Sequence, residues 1–257
     1  MKWMKKIAPL AATLVLLVVL GFVTRHQNQM PCRGVEIRIS SSAGMYFLDR
    51  DDVYHQLLNA ADSVEGRPMI SIDTRHIEGV IAAMPEVKKA DVYKTIDGQL
   101  RVHVDLRVPV ARVLHPNGTS FYIDEDGEMM PLSPRYMARV LLVNGNIRQG
   151  SINTFTEFPV ADEWENQRSE LFELASFIRA DPFWSAQIQQ VYVNENIEYV
   201  LIPRVGNHEI HFGNLSDVET KFACLKALYE QVLSKSDWNQ YRLINLKYKN
   251  QIVCSKK

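Results

Sequence analysis

The chain has 257 residues, and its 29 lysines and arginines stand against 30 aspartates and glutamates, so no basic excess points to a nucleic-acid backbone. A hydrophobic share of 46% is that of a folded chain rather than a disordered one. The three cysteines, Cys32, Cys224 and Cys254, lie far apart with no C-x-x-C spacing, which supports neither a zinc ribbon, a thioredoxin-like site nor a disulfide framework.

Residues 7–23 are apolar without a charge and follow Lys2, Lys5 and Lys6. Such a helix rises about 25 Å, the short end of what crosses a hydrocarbon core, and Thr24 extends it slightly. A removable signal peptide competes with this reading. It needs a small-residue cleavage site, which Gly21-Phe22-Val23-Thr24 and the polar residues 25–29 do not supply. Gln29-Met30-Pro31 ahead of Cys32 does not make a lipoprotein site either. A retained anchor over 7–24 is therefore expected, after a cytoplasmic tail over 1–6. Three lysines before it and Arg25 after it place the remainder outside the cytoplasm. No second run of that length follows, so the topology is single-pass.

Beyond a linker over 25–34, residues 35–39 alternate apolar and charged, the period of a half-buried strand. In 48–58 acidic residues precede apolar ones at helical spacing, predicting a helix to about Ala60. Gly66 and Pro68 break the chain before a second helix over 72–84. Its Ile77, Val80, Ile81 and Met84 form one apolar stripe that ends at Pro85. Residues 87–94 and 99–108 alternate around Asp97-Gly98, a dipeptide suited to a hairpin. The order strand, helix, helix, strand, strand over 35–108 predicts a compact α+β module with both helices on one face of a three-stranded sheet.

The rest, 109–257, reads as a β-rich domain. Short strands are expected over 111–114, 120–124 and 140–144, then a helix over 167–180 with Leu171, Leu174, Ala175 and Ile178 on one side. Strands over 188–193 and 197–203 pair around Asn194-Glu195-Asn196, followed by 209–212. A long amphipathic helix over 217–233 carries Phe222, Leu225, Leu228, Tyr229 and Val232, and strands over 241–247 and 252–254 end the domain. Cys224 and Cys254 fall on that helix and that last strand. They read as small buried apolar side chains, with a bridge between them left open. Cys32 has no evident partner.

Candidate chemistry is sparse. His208-Glu209-Ile210-His211 tempts as a metal site, but a zinc protease needs H-E-x-x-H on a helix, and these histidines, three apart in a strand, point to opposite faces. Asp124-Glu125-Asp126-Gly127 lacks the glycine and glutamate register of a calcium loop and reads as a hairpin turn. No G-x-S-x-G, phosphate-binding loop or dinucleotide fingerprint occurs. No catalytic, metal or cofactor residue is assigned. Asn117-Gly118-Thr119 and Asn214-Leu215-Ser216 match glycosylation sequons and receive no role.

In order and spacing, this arrangement resembles the FtsQ/DivIB cell-division proteins: a short tail, one span, a POTRA domain and a β-rich domain. Gly66 and Pro85-Glu86-Val87 fall where their POTRA domain has them. Arg107-Val108-Pro109-Val110-Ala111 is similar to the R-x-P-x-A junction, and Phe121 to Gly127 resembles the Y-x-x-D-x-x-G hairpin, with Pro131 following. Residues 140–145 resemble the next strand, ending in Gly145. Ile210-His211-Phe212-Gly213 with Lys221 resembles the I-x-F-G and lysine pattern. Ile244-Asn245-Leu246-Lys247-Tyr248 stands where the family has I-D-L-R-Y, with Asn245 for aspartate and Lys247 for arginine. Residues 149–165, Trp164 and Trp184 lie outside the resemblance.

The resemblance implies a non-enzymatic, single-pass inner-membrane scaffold at the division septum, with its N-terminus cytoplasmic and its C-terminus extracytoplasmic. Its implied partners are other divisome membrane proteins, chiefly small bitopic coiled-coil proteins of the FtsB and FtsL type. β-Augmentation at a terminal edge strand is the available mechanism. Tyr248 matches the partner-contacting tyrosine, Asn250, Ile252 and Val253 are expected on the same strand, and Lys221 is expected near that edge by analogy. The POTRA domain is a second implied docking surface. Two other readings are an outer-membrane assembly or secretion component that uses a POTRA domain, and an anchored envelope hydrolase.

Overall fold

This computed structural model describes residues 14–15, 17–18, 29–41, 46–61, 63–148, 162–235, 238–249 and 251–256. The chain divides into two compact units, Met1–Leu106 and Arg107–Lys257. Of the expected anchor over 7–24, only residues 14–15 and 17–18 are described, and they are helical. Among the described residues no helix is long and apolar enough to cross a membrane.

The first unit runs β1 (Gly34–Ser40), α1 (Arg50–Ala61), a 3-10 turn (Met69–Ser71), α2 (Thr74–Ala82), β2 (Val87–Lys94) and β3 (Gln99–Leu106). A reciprocal cap starts α1: the Asp49 N–H donates to Asp52 Oδ2 at 3.0 Å and the Asp52 N–H to Asp49 Oδ1 at 2.9 Å. The second helix starts later than the expected residue 72. Asp73 is extended, at ψ 95, and its carboxylate accepts from the Arg75 and His76 N–H groups, so the α-helix begins at Thr74. Gly98, at φ +84, closes the β2–β3 hairpin.

β3 lies between β1, parallel to it, and β2, antiparallel. Ile37, Val102 and Val92 form one cross-strand row, and all three are buried, as are Val53, Leu57, Ile77 and Ile81 of the helices. Each such side chain contributes roughly 1.5–3 kcal/mol. Cys32 also belongs to this core. Its side chain is buried, its N–H donates to Arg67 O and its carbonyl accepts from the Gly66 N–H, each at 2.8 Å.

The second unit contains β4 (Pro109–Leu114), β5 (Ser120–Asp124), β6 (Met129–Pro131), β7 (Leu141–Gly145), α3 (Asp162–Ala180), α4 (Pro182–Gln187) and β8 (Ile188–Val193). β9 (Tyr199–Pro203), β10 (Glu209–Gly213), α5 (Val218–Gln231), a 3-10 turn (Leu233–Lys235), β11 (Tyr241–Asn245) and β12 (Val253–Lys256) complete it. Its nine strands form one sheet in the order β12-β11-β10-β9-β8-β7-β4-β5-β6. A single register row crosses it: Pro131, Phe121, Val113, Val143, Val191, Leu201, Ile210, Ile244 and Cys254. All but the two end members are fully buried, under Trp164, Leu171 and Leu174 of α3, Trp184 of α4 and Phe222, Leu225 and Tyr229 of α5. This row is why the strands keep their register: a slip by one residue would turn the whole row to solvent.

Two elements went unanticipated, β6 and α4. Asp181 caps α4, accepting from the Phe183 N–H at 2.7 Å, with Pro182 at the first helical position. β9 begins at Tyr199 rather than at residue 197, because Ile197 sits in the turn at φ +59. The two tryptophans outside the family resemblance are core residues: Trp164 meets Phe121 edge-on at 5.7 Å, and Trp184 lies 5.0 Å from Phe222. Gly145 ends β7 because a Cβ there would stand 2.2 Å from the Val193 carbonyl oxygen. Cys32, Cys224 and Cys254 are all unbridged.

A buried ion pair joins two of the quoted motifs. Arg107 Nη1 donates to Asp124 Oδ2 at 2.7 Å. The other carboxylate oxygen accepts from the Asp126 and Glu128 N–H groups at 2.9 and 2.8 Å. The Asp124 side chain is 1% exposed, so its charge rests on these partners.

Candidate functional site

Parallel pairing of β11 with β10 continues past the strand end, where the Leu246 N–H donates to His211 O at 2.9 Å. Asn245 then ends the strand, its Oδ1 accepting from the Lys247 N–H at 2.9 Å. The chain turns, with the Gln251 N–H donating to Tyr248 O at 3.3 Å, and returns as β12, the sheet edge.

This geometry corrects the expected placement of the partner residues. Tyr248 lies in the turn between β11 and β12, not on the terminal strand, because the Asn245 side chain stops β11 two residues earlier than expected. Ile252 directly precedes β12 and Val253 begins it. Asn250 lies outside the described residues. Tyr248 and Val253 are 56% and 44% exposed.

Lys221 lies beside the turn that precedes this edge. A cleft of about 280 Å³ is lined by Lys221, Thr220 and Cys224 of α5 and by Lys247, Tyr248 and Lys249 of the turn. Lys221 Nζ donates to Asn214 O at 2.7 Å and lies 4.9 Å from the Phe212 ring centre. Partial burial holds its pKa below the usual lysine range. The ammonium thus ties down the β10–α5 loop as well as lining the cleft.

Lys247, the departure from arginine, still forms an ion pair, with Glu198 Oε1 at 2.7 Å. The Lys247 ammonium, and then the Asn194 amide, hold the Glu198 carboxyl below its usual range. Sequence reasoning missed Glu198, since a surface glutamate after a turn gives no signal of its partner 49 residues away.

The tempting histidines part company. His208 is buried, with Nε2 2.8 Å from the Tyr229 hydroxyl, and His211 pairs with Glu209 at 3.3 Å. Among the described residues no group of three or more His, Cys, Asp or Glu is placed to hold a metal ion. On the first unit, His103 meets Ser40 and Asp105, each at 3.3 Å. Both contacts fall on the same nitrogen, Nε2, whereas a nucleophile relay needs serine and carboxylate on opposite nitrogens.

The profile of the FtsQ/DivIB, C-terminal related family matches residues 108–255, more than half of the chain. The chain belongs to the FtsQ/DivIB-related family. A POTRA-like domain profile matches residues 30–105, which agrees with the strand-helix-helix-strand-strand order of the first unit. No curated protein matches the chain. The FtsQ/DivIB-related match spans the nine-stranded sheet from β4 into β12, so it takes in the Arg107–Asp124 hairpin almost entirely and the whole of the cleft beside Tyr248. It is a family of non-enzymatic cell-division proteins.

Proposed function

We infer that this cell-division protein is a membrane-anchored scaffold that holds divisome partners at the septum by taking a partner strand onto β12. The observation that carries this reading is that exposed Tyr248, in the turn that leads into β12, lines a cleft with Lys221, Lys247 and Lys249, and that the first residue of β12, Val253, is also exposed. An edge strand offers main-chain donors and acceptors to an extended segment, and the cleft offers side-chain selectivity next to it. Small bitopic coiled-coil proteins of the FtsB and FtsL type are the partners, reached outside the cytoplasm by a chain anchored through 7–24. The apolar run and its flanking lysines support that anchor. The outer-membrane assembly reading has less behind it, because the unit following the POTRA-like domain matches the FtsQ/DivIB-related profile.

The test is capture by tagged, detergent-solubilised full-length protein, wild type beside a Tyr248→Ala, Val253→Lys double variant, with bound proteins identified by mass spectrometry. Wild type recovers small single-pass coiled-coil proteins. The variant recovers at least about tenfold less while its unfolding midpoint stays put, because surface changes move stability by only about 0.5 kcal/mol. Equal recovery by both proteins would remove β12 as the docking edge.

A further inference from the structure

Of the described aliphatic side chains beyond the anchor, the three most exposed are Ile96 at 80%, Met137 at 67% and Ile70 at 66%. Two of them belong to one end of the first unit. Ile96 stands in the β2–β3 turn, which the Gly98 N–H closes on Thr95 O at 3.2 Å, and Ile70 is the middle residue of the 3-10 turn. Turns favour glycine, asparagine and aspartate, and an isoleucine open to water gains nothing from packing. Scattered singly, such residues are ordinary; two at one end of a unit point to a cover.

Both turns clasp the segment by which the chain enters the unit. The Met69 N–H donates to Met30 O at 2.9 Å, and the Cys32 N–H to Arg67 O and the Arg33 N–H to Gly98 O at 2.8 Å each. Met30 comes six residues after Thr24, the end of the anchor, and that stretch of chain reaches at most about 22 Å. This end of the unit is therefore tethered close to the bilayer. β1 and β3 start from it side by side, Gly34 opposite Gln99, and lead away in parallel.

Charge does not choose the occupant here. At residues 33, 63–73 and 94–98 the exposed charges balance, Arg33, Arg67 and Lys94 against Glu65, Asp73 and Asp97. What stands out from this balanced ground is apolar. We propose that the two turns seat the first unit on the outer surface of the bilayer that holds the anchor, with Ile70 and Ile96 buried at the boundary between headgroups and acyl chains. The seat fixes the distance of the unit from the bilayer, which the linker alone only limits. This inference rests on the anchor of the proposed function and is independent of the β12 edge.

The test is quenching of added tryptophans by phosphatidylcholine brominated on the upper acyl chain, with the full-length protein reconstituted in vesicles. Ile96→Trp and Ile70→Trp report the seat, and Leu17→Trp reports the anchor. Tyr46→Trp, between the far end of β1 and α1, is the control. Wild-type emission is subtracted, since four native tryptophans contribute throughout. Interfacial side chains sit about 5–10 Å deep, level with the bromines, so the added emission at both isoleucine positions falls about twofold or more while that of Tyr46→Trp holds. Ile70→Asp in the Ile96→Trp protein returns the emission toward its unquenched value. Anionic lipid changes none of this. Quenching of Leu17→Trp beside unquenched Ile96→Trp would overturn the seat and leave the anchor standing, whereas unquenched Leu17→Trp would remove both. Quenching of Ile96→Trp only in anionic vesicles would also overturn it, since attraction between charges would then hold the unit.

Discussion

At one end of the nine-stranded sheet, β6 is a three-residue strand closed by Pro131, and the connection that follows it lies against β5, the Ala138 N–H donating to the Tyr122 hydroxyl at 3.1 Å. At the other end β12 is the last strand of the sheet among the described residues, and the turn before it leaves Tyr248 more than half exposed. The two ends also hold their charges differently. Asp124 is enclosed and fully bonded, whereas Lys247 and Glu198 keep 39% and 26% of their side-chain surface. One end of the sheet is finished as a core, and the other keeps aromatic and charged groups available to a partner.

The largest effect expected from this contrast is at the closed end. Asp124→Ala removes the enclosed carboxylate that pairs with Arg107 and accepts from the Asp126 and Glu128 N–H groups. Losing one member of a buried pair costs about 3–5 kcal/mol. Urea unfolding followed by tryptophan fluorescence reads it directly, since Trp164 and Trp184 are both buried in this unit. A loss below about 1 kcal/mol, the value of an exposed pair, would erase the difference between the ends.

The closed end was also the more legible in the sequence. Strands alternate visibly, and the R-x-P-x-A and Y-x-x-D-x-x-G motifs, recognised separately, are two halves of one ion pair between Arg107 and Asp124. Cross-strand pairing was not readable, because nothing in a linear pattern says that Glu198 meets Lys247. β6 escaped because three residues are too few to show a period, although the Asp181-Pro182 start of α4 did carry a cap signal. At the open end the family resemblance sets Lys221 near the edge, but the apolar pattern carries the strand up to Lys247 and so sets Tyr248 with it. The capping role of Asn245 decides otherwise. An asparagine within an apolar run reads equally well as a strand residue or as a stop.

A middle-sized effect comes from the helical layer beside the open end. His208 Nε2 faces the Tyr229 hydroxyl, which takes a second, longer contact from Gln187 Nε2 at 3.5 Å. Burial holds His208 below the usual histidine range and pushes Tyr229 up to about 12. A neutral native histidine leaves stability complete above the unfolded value near 6.5. As pH falls through that value the unfolded chain takes up a proton that the native state refuses, and stability drops by at most about 1.4 kcal/mol per pH unit until the lower folded value is reached. Urea midpoints from pH 7.5 to 5 show this slope in the wild type and a flatter line in His208→Gln. Parallel lines would mean that His208 is protonated as easily in the folded state as in the unfolded one.

The smallest effect tests the ion pair at the open end. Lys247→Met removes the partner of Glu198 while keeping the length of the side chain, and a half-exposed pair of this kind contributes about 0–1 kcal/mol. Glu198 has a depressed folded pKa, so its contribution is present above the unfolded value of about 4.5 and fades as pH falls through the folded one. Salt separates the two pairs further. At about 1 M salt the screening length shrinks to about 3 Å, so the gap between Lys247→Met and wild type closes, whereas the deficit of Asp124→Ala, which lies in the hydrogen bonds lost from an enclosed carboxylate, persists. If salt closed both gaps equally, Asp124 would be exchanging its partners for solvent, and the closed end of the sheet would be as open as the other.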